Sequence, residues 1–399
     1  MRRLVAGLAL FVFLCTACSS ADETRVWFEK NSISEYVDRR LEQNHDNTVI
    51  GLDDESLDKL KNDDHEDEEK FYKYGGFYYE QLSDEKKASY QQIYNVINEY
   101  GESCDIYEFD EKEVYNIFLS VLNDNPQFYM CNTYSLKQYK SGDEIYKVEL
   151  LPEYNMTEAE VIQYRSKIDE YFNSCKLQIS NISSEYEIVK SVYDYIVTTT
   201  RYEMGSTLNQ TICSVMAHNA SVCQGYAKTM QYILGELDIS SMIITGIAEG
   251  VSHAWNIVEI DGKYYQVDVT WADSGDEASE DDIYVDYSYL CITTDEITRT
   301  RTIDTSFNMP ICESTDANYY VKEGLLLQEY TEENIRDIII KSDVETSGIL
   351  SMKAADQKVY DDMIEKLIND KEMVAFMEGI ANKCSYTDNQ ELLTITFFF

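Results

Sequence analysis

The sequence predicts an α+β chain whose core is a helix bearing Cys223 packed on an antiparallel sheet bearing His253 and Asp268. Three observations carry that prediction. Apolar residues recur at helical spacing behind Cys223, at Tyr226, Ala227, Met230, Ile233, Leu234 and Leu237. Two strand-like runs, 253–260 and 263–271, flank Asp261-Gly262, a strong two-residue hairpin signal. The flanking regions read differently, as a mostly helical stretch over 75–180 and a small α/β region over 306–399.

The chain begins with Arg2 and Arg3 ahead of an apolar run over residues 4–14 that is too short to span a membrane. A charged start, an apolar middle and a small-residue end read as an export signal over 1–18. Thr16-Ala17-Cys18 resembles the end of a bacterial lipobox, with Cys18 as the lipidated residue and Cys15 standing where such sequences prefer Leu. The expectation is an exported protein anchored to the membrane through lipid and facing away from the cytoplasm, with an ordinarily cleaved secretory signal or an uncleaved anchor as the other readings.

Residues 19–74 hold a strongly acidic run from 53 to 70, whose like charges repel in any compact form, so the segment reads as a largely disordered tether. It lacks the carboxylate spacing of a calcium loop. The whole chain has 33 Lys plus Arg against 74 Asp plus Glu, a net charge of -41. Such a field repels phosphate backbones, which disfavours nucleic acid as a partner, and it reads either as a solvated acidic surface or as one that favours cationic partners such as Lys-bearing peptides.

Within 75–180, Tyr90, Ile93, Val96 and Ile97 mark one helix, and Val114, Ile117, Phe118, Val121 and Leu122 a second that Asn125-Pro126 stops. Thr157 and Glu160 fit a capping box opening a third. A further helix through Ile188, Val189, Val192, Tyr193 and Ile196 leads into the region 181–305. Beyond it come a second acidic loop after Asp273 and a strand-like end over 391–399.

Of the 10 Cys, setting aside Cys15 and Cys18 leaves Cys104, Cys131, Cys175, Cys213, Cys223, Cys291, Cys312 and Cys384. They form no closely spaced pairs or Cys/His clusters, so no metal site is expected. If Cys223 stays a thiol the remainder is odd, and a complete disulfide framework is excluded; most of the others read as buried free thiols.

Ser221-Val222-Cys223-Gln224 has the pattern of a capping box, which places Ser221 at the N-cap and Cys223 in the first turn, at the positive end of the helix dipole. That position favours a thiolate, the nucleophilic form. Gly225 then allows close approach of backbone or substrate. With a two-residue turn Ile260 pairs with Lys263, His253 lies opposite Thr270, and Trp255 lies opposite Asp268. His253 and Asp268 become diagonal neighbours on one face, about 7 to 8 Å apart at the backbone. Asp268 can then accept the imidazole N–H and fix the tautomer for proton exchange with Cys223.

The segments SVCQGYAKTMQYIL, HAWNIVEIDGKYY and QVDVTWAD resemble three successive motifs of the transglutaminase-like superfamily, over about residues 185–300. The resemblance implies a papain-like core with Cys223 as nucleophile, His253 as general base and acid, and Asp268 as the orienting residue. It implies attack on a carboxamide or peptide carbonyl and a thioester intermediate, with no cofactor. The oxyanion would meet the Cys223 N–H, and Gln210 is the candidate side-chain donor. Trp255, on the His253 face, is the candidate cleft wall, whereas Trp271 falls on the opposite face; packing is the other reading for both. His218, on the loop before the helix, reads as a rim residue.

The function expected is cysteine-dependent acyl transfer on protein or peptide bonds at the cell envelope, either hydrolysis by a thiol peptidase or crosslinking to an amine acceptor. The alternative from a different class is a binding or scaffolding lipoprotein whose domain has lost turnover. Solute capture beside a transporter rests on the anchor alone.

Overall fold

The computed structural model describes residues 48–51 and 71–399, apart from 109, 142, 206–207, 273–283, 343 and 379–383. The export-like segment with Cys18, most of the acidic tether, Asp273 and the second acidic loop lie outside the described residues.

The elements run β1 (Thr48–Gly51), α1 (Phe77–Glu80), α2 (Asp84–Asn98), β2 (Cys104–Ile106), α3 (Glu111–Asp124), β3 (Cys131–Ser141), β4 (Glu144–Tyr154) and α4 (Glu158–Gln178). The first four strands make one sheet in the order β1-β3-β4-β2. The long β3–β4 hairpin was not read from the sequence. Its inward residues Tyr134, Leu136, Val148 and Leu150 alternate with half-buried residues that include Leu151, which blurs the period-2 signal. The region expected to be mostly helical is therefore mixed. Thr48–Gly51, placed in the disordered tether by its surroundings, adds a parallel strand beside β3, and Phe71 and Tyr74 are buried, so the folded part starts inside that segment. The α3 helix stops at Asp124 ahead of Asn125-Pro126, and α4 opens with both halves of the Thr157–Glu160 capping box.

Next come α5 (Glu185–Thr199), β5 (Arg201–Tyr202), α6 (Ile212–His218), β6 (Ala220–Ser221) and α7 (Cys223–Glu236). Then follow β7 (Ser241–Ala248), β8 (Val251–Ile260), β9 (Lys263–Val267), α8 (Thr294–Ile297) and β10 (Arg301–Ile303), with the sheet order β10-β7-β8-β9. The two-residue turn is as the sequence predicts: Ile260 pairs with Lys263, and Asp261 and Gly262 both have positive φ, the backbone of a type I′ turn.

The central strand β8 is buried on both faces. Ala254 packs with Ala227 of α7 and Ile243, while Trp255 and Ile257 enter a second core with Met242, Ile244, Tyr289, Ile292, Ile297 and Cys312. That is why residues 254–258 read as a nearly continuous buried run. The larger core unites α2, α3, α4, α5 and α7 with Val258, Ile260 and Val267 of the sheet.

The chain ends in α9 (Tyr319–Lys322), β11 (Leu326–Leu327), α10 (Glu332–Lys341), α11 (Val344–Ser347), β12 (Ile349–Ala354), α12 (Gln357–Met363), α13 (Glu372–Phe376), β13 (Ser385–Asn389) and β14 (Thr394–Phe398). These build a sheet in the order β11-β12-β14-β13 with a core of its own. Lys353 of β12 forms a buried ion pair with Glu296 at 2.8 Å and donates to the Leu392 carbonyl. All eight cysteines of the described residues are free, and Cys131, Cys175, Cys213, Cys291 and Cys312 are buried. No helix of the described residues is long and apolar enough to cross a membrane.

Candidate active site

Cys223 is the first residue of α7, and Val222, in extended conformation, is its N-cap. Ser221 is not the cap. Its backbone is in β6, paired with Tyr202, and its hydroxyl bonds Ser214 at 2.6 Å and the Asn209 carbonyl at 2.8 Å. The capping box expected there fails because the loop 208–211 takes the hydroxyl. The consequence for Cys223 is small, since it and Gln224 still sit in the first turn, where N–H groups have no intrahelical acceptor.

Gly225 is the residue this packing requires. A Cβ at that position would stand 2.0 Å from Ser221 Oγ, 2.7 Å from Ser214 Oγ and 2.9 Å from the Asn209 carbonyl. Gln210 is exposed in that loop, and its neighbour Asn209 also accepts from the Val222 N–H at 3.3 Å. The structure thus brings the Gln210 loop to the residue before Cys223.

His253 is 7% exposed and lies in β8, opposite Gly246 of β7. Its Nε2 is 2.8 Å from Asp268 Oδ2, and Cys223 is its second side-chain hydrogen-bonding partner, which assigns Nδ1 to the thiol. Burial would push this imidazole down, but the Asp268 carboxylate and the Cys223 sulfur raise it to about 9. Cys223 itself is half-buried, so the sulfur side of the pair faces outward more than the base does.

Asp268 and His253 meet as the sequence reading requires, though not as ladder neighbours. The β9 strand ends at Val267, opposite Asn256, and a 3-10 turn over Val269–Ala272 replaces the expected continuation to Trp271. The Asp268 N–H donates to the Tyr289 carbonyl at 3.1 Å, which pins the carboxylate at the strand end. Burial pushes its carboxyl up, yet His253 and Arg301 hold it below the usual carboxylate value.

The 3-10 turn also brings Trp271 to the His253 face, where Trp255 lies as the sequence predicts. Trp255 is fully buried, stacked on His253, with its Nε1 donating to Gln266 at 2.8 Å. A side chain with no exposed surface cannot wall a cleft. Trp271, predicted on the opposite face, is partly exposed and presents its ring to His253 at 6.4 Å and 86°. His218 ends α6 rather than lying on a loop, and it pairs with the Tyr164 hydroxyl at 3.0 Å.

Sequence reasoning missed Arg301. Its Nε and Nη2 lie 3.0 and 2.8 Å from Asp268 Oδ2, the oxygen that His253 uses, and neither side chain is exposed. Among the described residues no group of three His, Cys, Asp or Glu stands close enough to hold a metal ion.

A family model described as the transglutaminase-like superfamily matches residues 174–269, which run from the end of α4 to just past Asp268. The chain carries a transglutaminase-like domain. Among solved structures, one described as a TGase is 19% identical with a TM-score of 0.27, over 37% of this chain and 46% of its own. One described as a candidate cysteine protease from Cytophaga hutchinsonii is 14% identical with a TM-score of 0.24, over 46% of this chain and 80% of its own. Menin, in a structure described as revealing its binding site for the Mixed Lineage Leukemia protein, is 15% identical with a TM-score of 0.24, over 56% and 53%. This chain spans about half the length of the TGase. No curated protein matches it. The assignment of the transglutaminase-like domain rests on the family match and not on these partial structural likenesses.

Proposed function

We propose that the transglutaminase-like domain performs cysteine-dependent acyl transfer through a thioester on Cys223, acting on carboxamide or peptide bonds of proteins or peptides. The observation that carries this reading is the His253 ring held between the Asp268 carboxylate at 2.8 Å and the half-buried Cys223. With His253 raised to about 9, an imidazolium stands beside the Cys223 sulfur at neutral pH.

In the proposed reaction the Cys223 sulfur attacks the carbonyl carbon, a C–S bond forms, and the carbonyl electrons move to the oxygen. The N–H groups at the start of α7 stabilise that oxyanion. On collapse the C–N bond breaks and His253 protonates the departing ammonia or amine. Neutral His253 then takes a proton from the incoming amine or water, which attacks the thioester and frees the sulfur. Asp268 keeps Nδ1 aimed at the sulfur throughout. In this proposal the site of action is outside the cytoplasm, a reading supported by the Arg2-Arg3 start and the Cys18 motif.

The test is alkylation of the full chain with iodoacetamide across pH. Selective labelling of Cys223 below about pH 7, lost in His253→Ala, supports a paired thiolate; labelling no faster than an ordinary cysteine removes the proposal. Glutamine-containing peptides incubated with a primary amine then separate the outcomes by mass: amine adducts mean crosslinking, deamidated peptides or chain cleavage mean hydrolysis, and unchanged peptides favour a binding domain.

A further inference from the structure

We infer that Arg301 is a positioning residue of this site: it fixes the Asp268 oxygen that holds His253 and sets how strongly the ring keeps its proton. The inference rests on the proposed role of the Cys223–His253–Asp268 group and extends it to a fourth side chain.

The placement comes first. The β10 strand pairs with β7, with Arg301 opposite Ala248, and Ala248 is opposite Val251, two residues before His253. Positions in register across antiparallel strands share a face, and so do positions two apart on one strand. Arg301 and His253 are therefore mounted on one face of a three-stranded patch, and Asp268 comes between them from the end of β9.

The chemistry follows from the contacts. Two donors of Arg301 and one of His253 converge on the single oxygen Oδ2 of Asp268, at 3.0, 2.8 and 2.8 Å. The guanidinium in turn packs against two neighbouring rings, 4.6 Å from the centre of Trp271 and 4.1 Å from that of Tyr289, which lie 5.7 Å from each other. Cation–π contact with two rings restricts the guanidinium and hence where the fork delivers its protons. Trp271 touches His253 as well, so it holds the cation and the imidazole together.

Stability alone is a weak reason for this arrangement. A fully buried ion pair loses so much solvation that well-packed apolar residues often serve as well. Geometry and charge are what apolar residues could not supply. A carboxylate shared with a guanidinium holds a nearby imidazolium less tightly than one devoted to it, so Arg301 opposes Asp268 and keeps His253 able to release its proton during turnover. The other titratable groups facing this carboxylate are Tyr193 of α5, whose hydroxyl donates to the Asp286 carbonyl at 2.8 Å, and Tyr289 against the guanidinium. Cys223 faces the ring from α7.

The test is made on the full chain by NMR titration of the four histidines, with His253 assigned from the spectrum of His253→Gln, together with iodoacetamide rates across pH. In Arg301→Gln the His253 midpoint rises by about one unit or more and the alkylation profile shifts with it. Arg301→Lys, which restores the charge without the fork, recovers part of the shift, and Arg299→Gln on the same strand approach has no effect. A folded Arg301→Gln protein with an unchanged or lowered His253 midpoint overturns the inference. If Arg301→Gln does not fold, Trp271→Leu and Arg301→Lys decide in its place: each must raise the midpoint, and an unmoved value in both overturns it. Failure here is separable from failure of the proposed function. A wild-type protein with no acid-reactive Cys223 removes the latter, whereas a reactive Cys223 indifferent to Arg301 removes only the former.

Discussion

Trp255 lies flat against His253, with ring centroids 5.8 Å apart and 18° between the planes. The indole has no exposure, and its N–H is held by Gln266, whose own amide donates to Thr294 at 3.3 Å. A stacked floor of this kind opposes rotation of the imidazole about Cβ–Cγ and so keeps its two nitrogens toward Asp268 and Cys223. It also presents a π face to a ring held protonated.

Replacement of Trp255 separates packing from chemistry. Trp255→Ala removes a buried indole and is expected to lower unfolding stability by about 3–5 kcal/mol in urea. Trp255→Phe keeps an aromatic floor but leaves the Gln266 oxygen unpaired, at a cost of about 1–3 kcal/mol. The Phe protein should keep fast alkylation of Cys223 at acid pH and the Ala protein should lose it. Equal alkylation profiles in both would show that the stack does not orient the ring.

The His253–Asp268 pair makes stability depend on pH in a definite direction. His253 is raised to about 9 from an ordinary value of 6.5, so the folded chain keeps a proton that the unfolded chain has already released. The stabilisation is complete below the unfolded value and is lost as pH rises through about 9, by roughly 1.4 kcal/mol for each unit of upward shift. Urea unfolding of the wild type and His253→Gln from about pH 5.5 to about pH 9.5 should show a stability gap that is widest at the acid end and narrows across that window. A gap that widens with rising pH contradicts the assignment of His253 as the raised group.

The parts of this site visible in the sequence are those set by local periodicity. Asp261-Gly262 fixes the β8–β9 register within two residues, and with it the approach of Asp268 to His253. What failed were extrapolations past an element's end. A strand continued from Val267 to Trp271 puts Trp271 on the wrong face, because nothing in Val-Asp-Val-Thr-Trp announces the 3-10 turn. Ser221 satisfies a capping pattern, but its hydroxyl is drawn to Ser214 and Asn209, partners that tertiary packing supplies. Arg301 was hidden for a further reason: Arg299 and Arg301 read alike in Thr-Arg-Thr-Arg-Thr, and only the fold buries one of them. A fully buried carboxylate at Asp268 calls for more than one donor, and the strand alternation that makes Arg301 and Ile303 cofacial was the available signal.

Gly225 is a sharp probe of the loop that reaches the nucleophile. In Gly225→Ala the new methyl meets the Ser221 and Ser214 hydroxyls and the Asn209 carbonyl, of which the last is backbone and cannot rotate away. The expected loss is about 1–3 kcal/mol, with displacement of the 208–211 loop from the start of α7. Ser221→Gly alone removes the hydroxyl that meets Ser214 and the Asn209 and Val222 carbonyls and is also destabilising. The pair Gly225→Ala with Ser221→Gly should be less destabilised than the sum of the two, with a coupling of about 0.5–3 kcal/mol by a double-mutant cycle in urea. Additive losses would mean that the overlap is relieved elsewhere.

Gln210 tests whether that loop contributes to the proposed chemistry as well as to packing. The loop is tied to Val222 through the Asn209 carbonyl, and the Gln210 side chain is exposed on it, within a residue of the contact. If its amide donates to the oxyanion, the interaction exists only once the carbonyl carbon has become tetrahedral. Gln210→Ala should then lower kcat by about 10²-fold or more, leave KM near its wild-type value, and leave the pH profile of Cys223 alkylation unchanged, since that reaction forms no oxyanion. Gln210→Asn, one methylene shorter, should recover little. A kcat within about threefold of wild type for Gln210→Ala would assign the oxyanion to the N–H groups of Cys223 and Gln224, which the helix start leaves without intrahelical acceptors.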